Sequence, residues 1–505
     1  MHSNWKINNA STPSMTVRKK SGVPLLIFFT CLICYLFFLS GHHYSIDGVV
    51  MFQYAKTLLF DHSFTMAPPL IWGREFVTSK WPIGLTLVYI PILSILSITV
   101  FKNNPEISEI PYDPSQSHYP ALLNNRPYEY SSFLNPFITA LTAVTLYQVC
   151  RSMGFSQKKA SLVVLVFGLI SPSTVYTKYD YAQSLATFFI IVSIYFLIRG
   201  FTYDKKNIFF SGACLGFGVL TRPELIIMPG FFMTGLVYFI APSIARLPKP
   251  SLERLSNVFW FSVPLIGAII LNQYINYSRF GYWFSTGYQQ GSDYFNLNFT
   301  HFTNAVLGNL VSPGRGLFVF YPLSLLSMIG IVHLYKRDLR IAILFTSITL
   351  GFLVFYSTWN DWGAGISWGP RFLIPAIPGF TVLAFLGFDS LSKTIHLKAL
   401  PFVILVALLT VGAIVTVQGL VFNFLEFYSK FELSGPMIVG GLYHFRPEYS
   451  PIINGWGNLF SPSHFDILLF QRRSEPVYNL LIMLLSFAGG IITMLWITFF
   501  HRAEE

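Results

Sequence analysis

Charge is what this chain has least of. Only 11% of its 505 residues are Asp, Glu, Lys or Arg, while 53% are apolar and 17% aromatic. Soluble globular proteins carry about 25% charged residues. The shortage excludes a soluble enzyme with one anchor: several apolar runs reach the roughly 20 residues that cross a bilayer, and the chain reads as a polytopic, all-α membrane protein. Cysteine is scarce too. Cys31, Cys34, Cys150 and Cys214 all fall in or at the ends of apolar runs, where free thiols act as small apolar residues, and no disulfide framework is implied. There is no HExxH, no Walker loop and no GxGxxG before a strand, so the chemistry those motifs carry is not supported. Internal repeats, on which many transporter folds are built, are not visible. The net charge of +11 is explained first by positive cytoplasmic loops and calls for no nucleic-acid partner.

What is present is a series of thirteen apolar segments, at about 23–40, 82–101, 132–150, 160–177, 183–199, 207–220, 225–241, 256–277, 316–335, 340–357, 372–388, 398–425 and 478–500. Arg18, Lys19 and Lys20 precede the first, and no small-residue cleavage site follows it. It reads as a first transmembrane helix with a cytoplasmic N-terminus. If all thirteen cross, the basic loops 151–160, 200–206 and 242–255 lie outside, against the positive-inside rule. If 82–101 does not cross, those loops move inside together with 336–340 and 389–398. Then 19 of the 33 basic residues and 6 of the 22 acidic ones are cytoplasmic. The charge balance therefore predicts about twelve crossings plus one or more external juxtamembrane helices. Residues 1–425 form the transmembrane module, with a large first external loop at 41–131. Residues 426–505 add an external loop and a last transmembrane helix.

On this topology the external face collects polar residues close to helix ends. They are Asp47, Lys80 (in TSKWPIG), Asp180 (in TKYDYAQ), Arg222 and Glu224 (in TRPE), Arg315 (in SPGRGL), and Asp361 and Arg371 (in WNDWGAGISWGPR). Charges at that depth are costly unless paired or wet, so several on one face suggest a site. Each has a plainer reading. Asp47 is an interface residue or a general base. The stretch after it, with apolar or aromatic residues at 49, 52, 55, 58 and 59, predicts an amphipathic helix lying on the membrane. Lys80 is a snorkelling lysine or a point charge for a phosphate. Asp180 is a helix cap or a second acid facing Asp47. Arg222-Pro223 is a turn between two helices or part of an anion site. Trp359, Trp362 and Trp368 are an interfacial belt. Interleaved with Gly363, Gly365 and Gly369, they also suit a sugar or headgroup cradle. His42 and His43 are adjacent and do not easily face one metal.

In order and sidedness, these residues resemble the GT-C glycosyltransferases. The features are an Asp after the first helix, an amphipathic loop, Lys80-Trp81-Pro82, Asp180 at the next external turn, Thr221-Arg222-Pro223 and the late Gly369-Pro370-Arg371-Phe372-Leu373-Ile374-Pro375. Within that class the likeness is to protein O-mannosyltransferase-like and aminoarabinose lipid A transferase-like bacterial proteins, and it covers 24 to about 390. The resemblance implies a GT-C helical bundle in a bacterial inner membrane with its active site outside. It also implies transfer of a sugar from a polyprenyl-phosphate donor to a lipid, glycan or protein acceptor. Asp47 and Asp180 would be the catalytic acids and would also hold a divalent cation (Mg or Mn), should one be used. Lys80, Arg222 and Arg371 would meet the donor phosphate, and Tyr54, Trp359, Asp361, Trp362 and Trp368 would cradle the substrate. Two departures stand out: Trp81 replaces the first proline of the lysine segment, and Gly48 replaces an acid that often follows the first Asp. A transporter or flippase of lipid-linked sugars is the alternative. It would be expected to bury ionisable residues mid-helix, where this sequence has almost none.

Overall fold

The computed structural model describes residues 22–64, 80–100, 102, 126–202, 204–239, 252–284, 295–397, 399–428, 441–460 and 465–502. Parts of the two long loops that the charge pattern assigns to the outside, including 65–79, 103–125 and 429–440, lie outside the described residues. Among the described residues, each of the thirteen apolar segments is largely helical. The main helices are α1 Val23–Phe37, α2 Ile46–Lys56, α3 Ile83–Thr99, α4 Leu134–Ser152, α5 Gln157–Ile170, α6 Gln183–Thr202, α7 Lys206–Thr221 and α8 Met228–Phe239. They continue with α9 Leu252–Phe280, α10 Phe299–Val311, α11 Leu325–Arg337, α12 Leu339–Ser357, α13 Ile377–Thr394, α14 Ala399–Val421 and α15 Pro476–Arg502. Among the described residues the β-structure is one isolated bridge, Phe295 to Trp359. Among the described residues, five helical stretches are long and apolar enough to cross a membrane: Gln183–Gly200, Ser256–Phe280, Arg371–Thr394, Ala399–Val421 and Pro476–Phe499.

The helices pack in two runs. α1, α4, α6, α7 and α9 each lie on the next, while α8, α12, α11 and α13 form the second run. α5, α14 and the 3-10 turn Arg371–Ala376 join the two. Close helix approach is allowed by missing side chains, as is usual in membranes. Gly330 of α11 and Gly387 of α13 face each other, and a Cβ on either would overlap the other helix's backbone.

α3 has 17 residues with Pro91 inside it. It packs on α2 and on residues near one end of the neighbouring helices: Leu134, Ile138, Leu185, Leu220 and Ile275. These are the ends that the charge pattern assigns to the outside. α2 departs from the expected surface helix. Val50, Met51, Phe52, Tyr54 and Ala55 are all buried, so most of its circumference is enclosed by α3 and Tyr128 rather than resting one face on lipid. The helix α10, within the loop 278–315, was not signalled by an apolar run.

Candidate active site

The site is assembled where four helix ends meet. α2 starts at residue 46 because Ser45 is extended and its Oγ accepts a hydrogen bond from the Gly48 N–H at 2.9 Å, a standard N-cap. Asp47 sits in the first turn, where the helix dipole favours a carboxylate. Its Oδ2 accepts from Arg371 Nη2 at 2.6 Å, with 29% of the Asp47 side chain and 13% of that of Arg371 exposed. Arg371 opens the 3-10 turn that leads into α13, and its guanidinium lies 3.7 Å from the centre of the Tyr181 ring.

Gln183, at the start of α6, connects this pair to a second one. With its amide turned to present oxygen, Gln183 Oε1 accepts from Arg371 Nε at 3.1 Å and from Arg222 Nη1 at 2.5 Å. Arg222 follows α7, at a turn forced by Pro223. Its Nε pairs with Glu224, and its Nη2 donates to the Tyr356 hydroxyl at 2.9 Å. The Tyr356 hydroxyl in turn donates to Glu224. Two arginines thus share one neutral amide, each paired with its own carboxylate, and the charges of the cluster cancel.

Asp180 is close by but differently placed. It is fully buried beneath the N-terminus of α2. Its Oδ1 accepts from the Tyr44 N–H at 3.1 Å and from Ser45 Oγ at 3.2 Å, and its Oδ2 is 2.7 Å from His43 Nδ1. A Cβ at residue 48 would overlap the Asp180 carboxylate, which is the physical reason that a glycine follows Asp47. Asp180 therefore anchors the strand of chain that presents Asp47. Both Asp180 oxygens are engaged, and Asp47 Oδ2 is held by Arg371. Among the described residues no three His, Cys, Asp or Glu side chains converge as a metal site would require.

Lys80 is half-buried, 5.1 Å from the Trp81 ring centre. Its segment is tied down by Arg279 at the end of α9, which donates to the Trp81 carbonyl at 2.9 Å. Arg279 also lies 5.3 Å over the Tyr54 ring, and Tyr54 is wholly buried. Of the tryptophans, Trp359 keeps an exposed edge, whereas Trp362 and Trp368 are inside the protein. Trp362 fills the space left by Gly308 and Gly441, and Trp368 that left by Gly419. Asp361 sits in the same loop. Burial raises its pKa, partly offset by the Gly365 N–H, Arg315 and Arg371, and its Oδ1 has no hydrogen-bond partner.

Sequence reasoning missed three things here. Arg315 is not a surface cation. It is buried, and its guanidinium donates to the carbonyls of Gly363 (2.6 Å), Gly365, Ser367 and Gly369 (3.3 Å), wrapping the 363–369 loop around itself. A second buried network joins Lys178 Nζ to Asp466 Oδ2 at 3.0 Å, His42 Nε2 to Asp466 Oδ1 at 2.7 Å, and the Tyr44 hydroxyl to Asp466. The two adjacent histidines thus face opposite ways, each onto its own carboxylate. Gln183 was missed as the bridge. The one sequence signal for Asp466 is a lone acid between Phe465 and Ile467.

No known family and no curated protein matches the chain. Among solved structures, it is similar to the crystal structure of ArnT from Cupriavidus metallidurans bound to undecaprenyl phosphate. The identity is 13%, over 88% of this chain and 79% of that chain, with a TM-score of 0.48. The apo structure of the same protein gives 14%, 88%, 78% and 0.47.

Proposed function

We propose that the chain is a membrane glycosyltransferase that moves a sugar from a polyprenyl-phosphate donor to an acceptor hydroxyl at the outer face of a bacterial inner membrane. The observation that carries this reading is the part-exposed Asp47–Arg371 pair, bridged by Gln183 to Arg222. It puts one candidate base and two guanidiniums at one point where helix ends meet. The acceptor oxygen forms a bond to the anomeric carbon while the bond from that carbon to the phosphate oxygen breaks. The electron pair stays on the phosphate and the acceptor proton passes to Asp47. Guanidiniums fixed beforehand around the phosphate stabilise the charge that develops there, and the carboxylate supplies general-base catalysis. Lys80 would add a further cation for the donor phosphate. Asp361, with its unpartnered oxygen, and the exposed edge of Trp359 would meet the sugar.

The test is purified protein in nanodiscs with labelled polyprenyl-phosphate sugars, watching for transfer or hydrolysis. Asp47→Asn keeps size and hydrogen bonding but accepts no proton, so turnover should fall about 10²–10⁴-fold in a protein that still folds. Near-normal turnover of that variant at saturating donor and acceptor would reduce Asp47 to an interface residue. Movement of intact lipid-linked sugar across the membrane without cleavage would favour the flippase alternative.

A further inference from the structure

The candidate base is not free. Asp47 is already the partner of the cation that a donor phosphate would seek. Arg371 is clamped on its other sides: the Tyr181 ring covers one face at 3.7 Å, and Nε is held by Gln183 at 3.1 Å. Gln183 is buried and also holds Arg222, whose charge is met by Glu224 and Tyr356. Of the groups around Arg371, Asp47 is the most exposed, at 29%. It stands in the first turn of a helix, where rotation of one side chain releases it without moving backbone.

We propose that the donor phosphate and Asp47 compete for Arg371, so that donor binding itself liberates the base. This rests on the glycosyltransferase reading and specifies how the site is regulated. The exchange is of one anion for another. A polyprenyl phosphodiester carries one negative charge, as does the carboxylate it displaces, so it takes over the pairing with Arg371 and leaves Asp47 as the one unpaired charge of the cluster. A carboxylate that has lost a neighbouring cation is a stronger base, so Asp47 becomes competent only when donor is in place. Water reaching the empty site meets a carboxylate that is occupied. After transfer the departing lipid phosphate is a monoester with more negative charge, which binds Arg371 more strongly. Asp47, now protonated and neutral, cannot compete for the cation. Product release therefore waits for Asp47 to give up its proton and reclaim Arg371. The predicted order is donor first, then acceptor, with phosphate departure linked to deprotonation.

The experiment measures binding of a sugar-free polyprenyl phosphate to full-length protein in nanodiscs at fixed salt. Wild type, Asp47→Asn, Arg371→Gln and the double variant are compared, with thermal unfolding as a folding control. Removing the competitor should tighten phosphate binding about tenfold, between the small worth of an exposed ion pair and the larger one of a buried pair. Arg371→Gln should weaken binding, and in that background Asp47→Asn should no longer tighten it. Asp47→Ser provides the same comparison should Asp47→Asn fold poorly. Phosphate affinity that is unchanged or weaker in both Asp47 variants overturns the competition. The two levels of the argument separate by turnover. Lost transfer in Asp47→Asn with unchanged phosphate affinity sinks the competition and keeps the enzyme reading. Normal transfer in both Asp47→Asn and Arg371→Gln sinks both.

Discussion

Replacing Arg315 with methionine should dismantle the site from a distance. The side chain is of similar length and apolar, so it fills the space, but it donates nothing. Four carbonyls lose a donor, those of Gly363, Gly365, Ser367 and Gly369. They do not lose equally. Gly365 keeps the Tyr443 hydroxyl at 3.3 Å, and Gly369 keeps the Arg371 N–H at 2.8 Å. Gly363 and Ser367 are buried and are left unsatisfied. At about 1–3 kcal/mol for each orphaned buried group, the cost is about 2–6 kcal/mol, a large share of a typical folding free energy of about 5–15 kcal/mol. The loop carries Arg371 at its end, so a loop that relaxes to hydrate those carbonyls takes Arg371 away from Asp47. The expected result is a folded helical bundle with a lowered melting temperature, a protease-sensitive 358–371 segment and little or no transfer. Arg315→Lys should rescue only in part, because three donors on one point cannot span four carbonyls. A methionine variant with unchanged melting, loop protection and turnover would refute the reasoning.

Lys80→Ala should raise the donor concentration needed for half-maximal turnover about 10–100-fold, the worth of one charge-assisted bond to phosphate, with a smaller effect at saturation. An unchanged donor dependence removes Lys80 from the site. A cysteine at Ser115, which lies outside the described residues, should react with an impermeant thiol reagent added from outside; labelling only from the cytoplasm would overturn the external placement of 41–131. The Asp466 network gives a pH dependence. Burial opposes a charge on His42, but Asp466 raises its pKa above the ordinary value. Burial would raise Asp466, yet Lys178, His42 and Tyr44 hold it well below the carboxylate range. The His42 contribution is therefore complete below its unfolded value of about 6.5 and is lost as pH rises through the higher folded value. The Asp466 contribution is present above about 3.9 and is lost only as pH falls through its depressed value. His43 works the other way, its pKa lowered by burial, and burial also lowers that of Lys178 despite Asp466, so the comparison must be a difference. Wild type should lose more melting temperature than His42→Gln between pH 6 and pH 9, and equal losses would refute the assignment.

The helices were legible because an apolar run long enough to cross a bilayer has few other fates. The non-spanning character suggested for 82–101 came from loop charges, and the observed helix packs on α2 and on the ends of its neighbours. Pairing was not legible. Asp47 and Arg371 are each visible as charges at helix ends, but 324 residues separate them, and nothing local states that they meet. The tryptophans show why a motif can mislead. Glycine beside tryptophan suits a ligand cradle, but it equally makes room for an indole ring. Trp362 and Trp368 are packed against glycines of other segments, positions that no reading of 359–371 alone could supply. Arg315 was misplaced for a related reason: its counter-groups are backbone carbonyls, which every residue has and no sequence pattern marks.

The Asp466 network has a consequence for how the protein is made. Lys178 and His42 are buried, and the carboxylate they depend on is synthesised 288 and 424 residues later, respectively. The same late loop closes over the first by a backbone bond from Leu468 N–H to the Leu39 carbonyl at 2.7 Å. Until residue 466 has been made, Lys178 and His42 lack the carboxylate that balances them once they are buried, and burying them without it would be costly. The segment that presents Asp47 therefore reaches its working form only after the segment that carries Asp466 arrives. A chain arrested or truncated before that segment would insert its helices yet leave the site open.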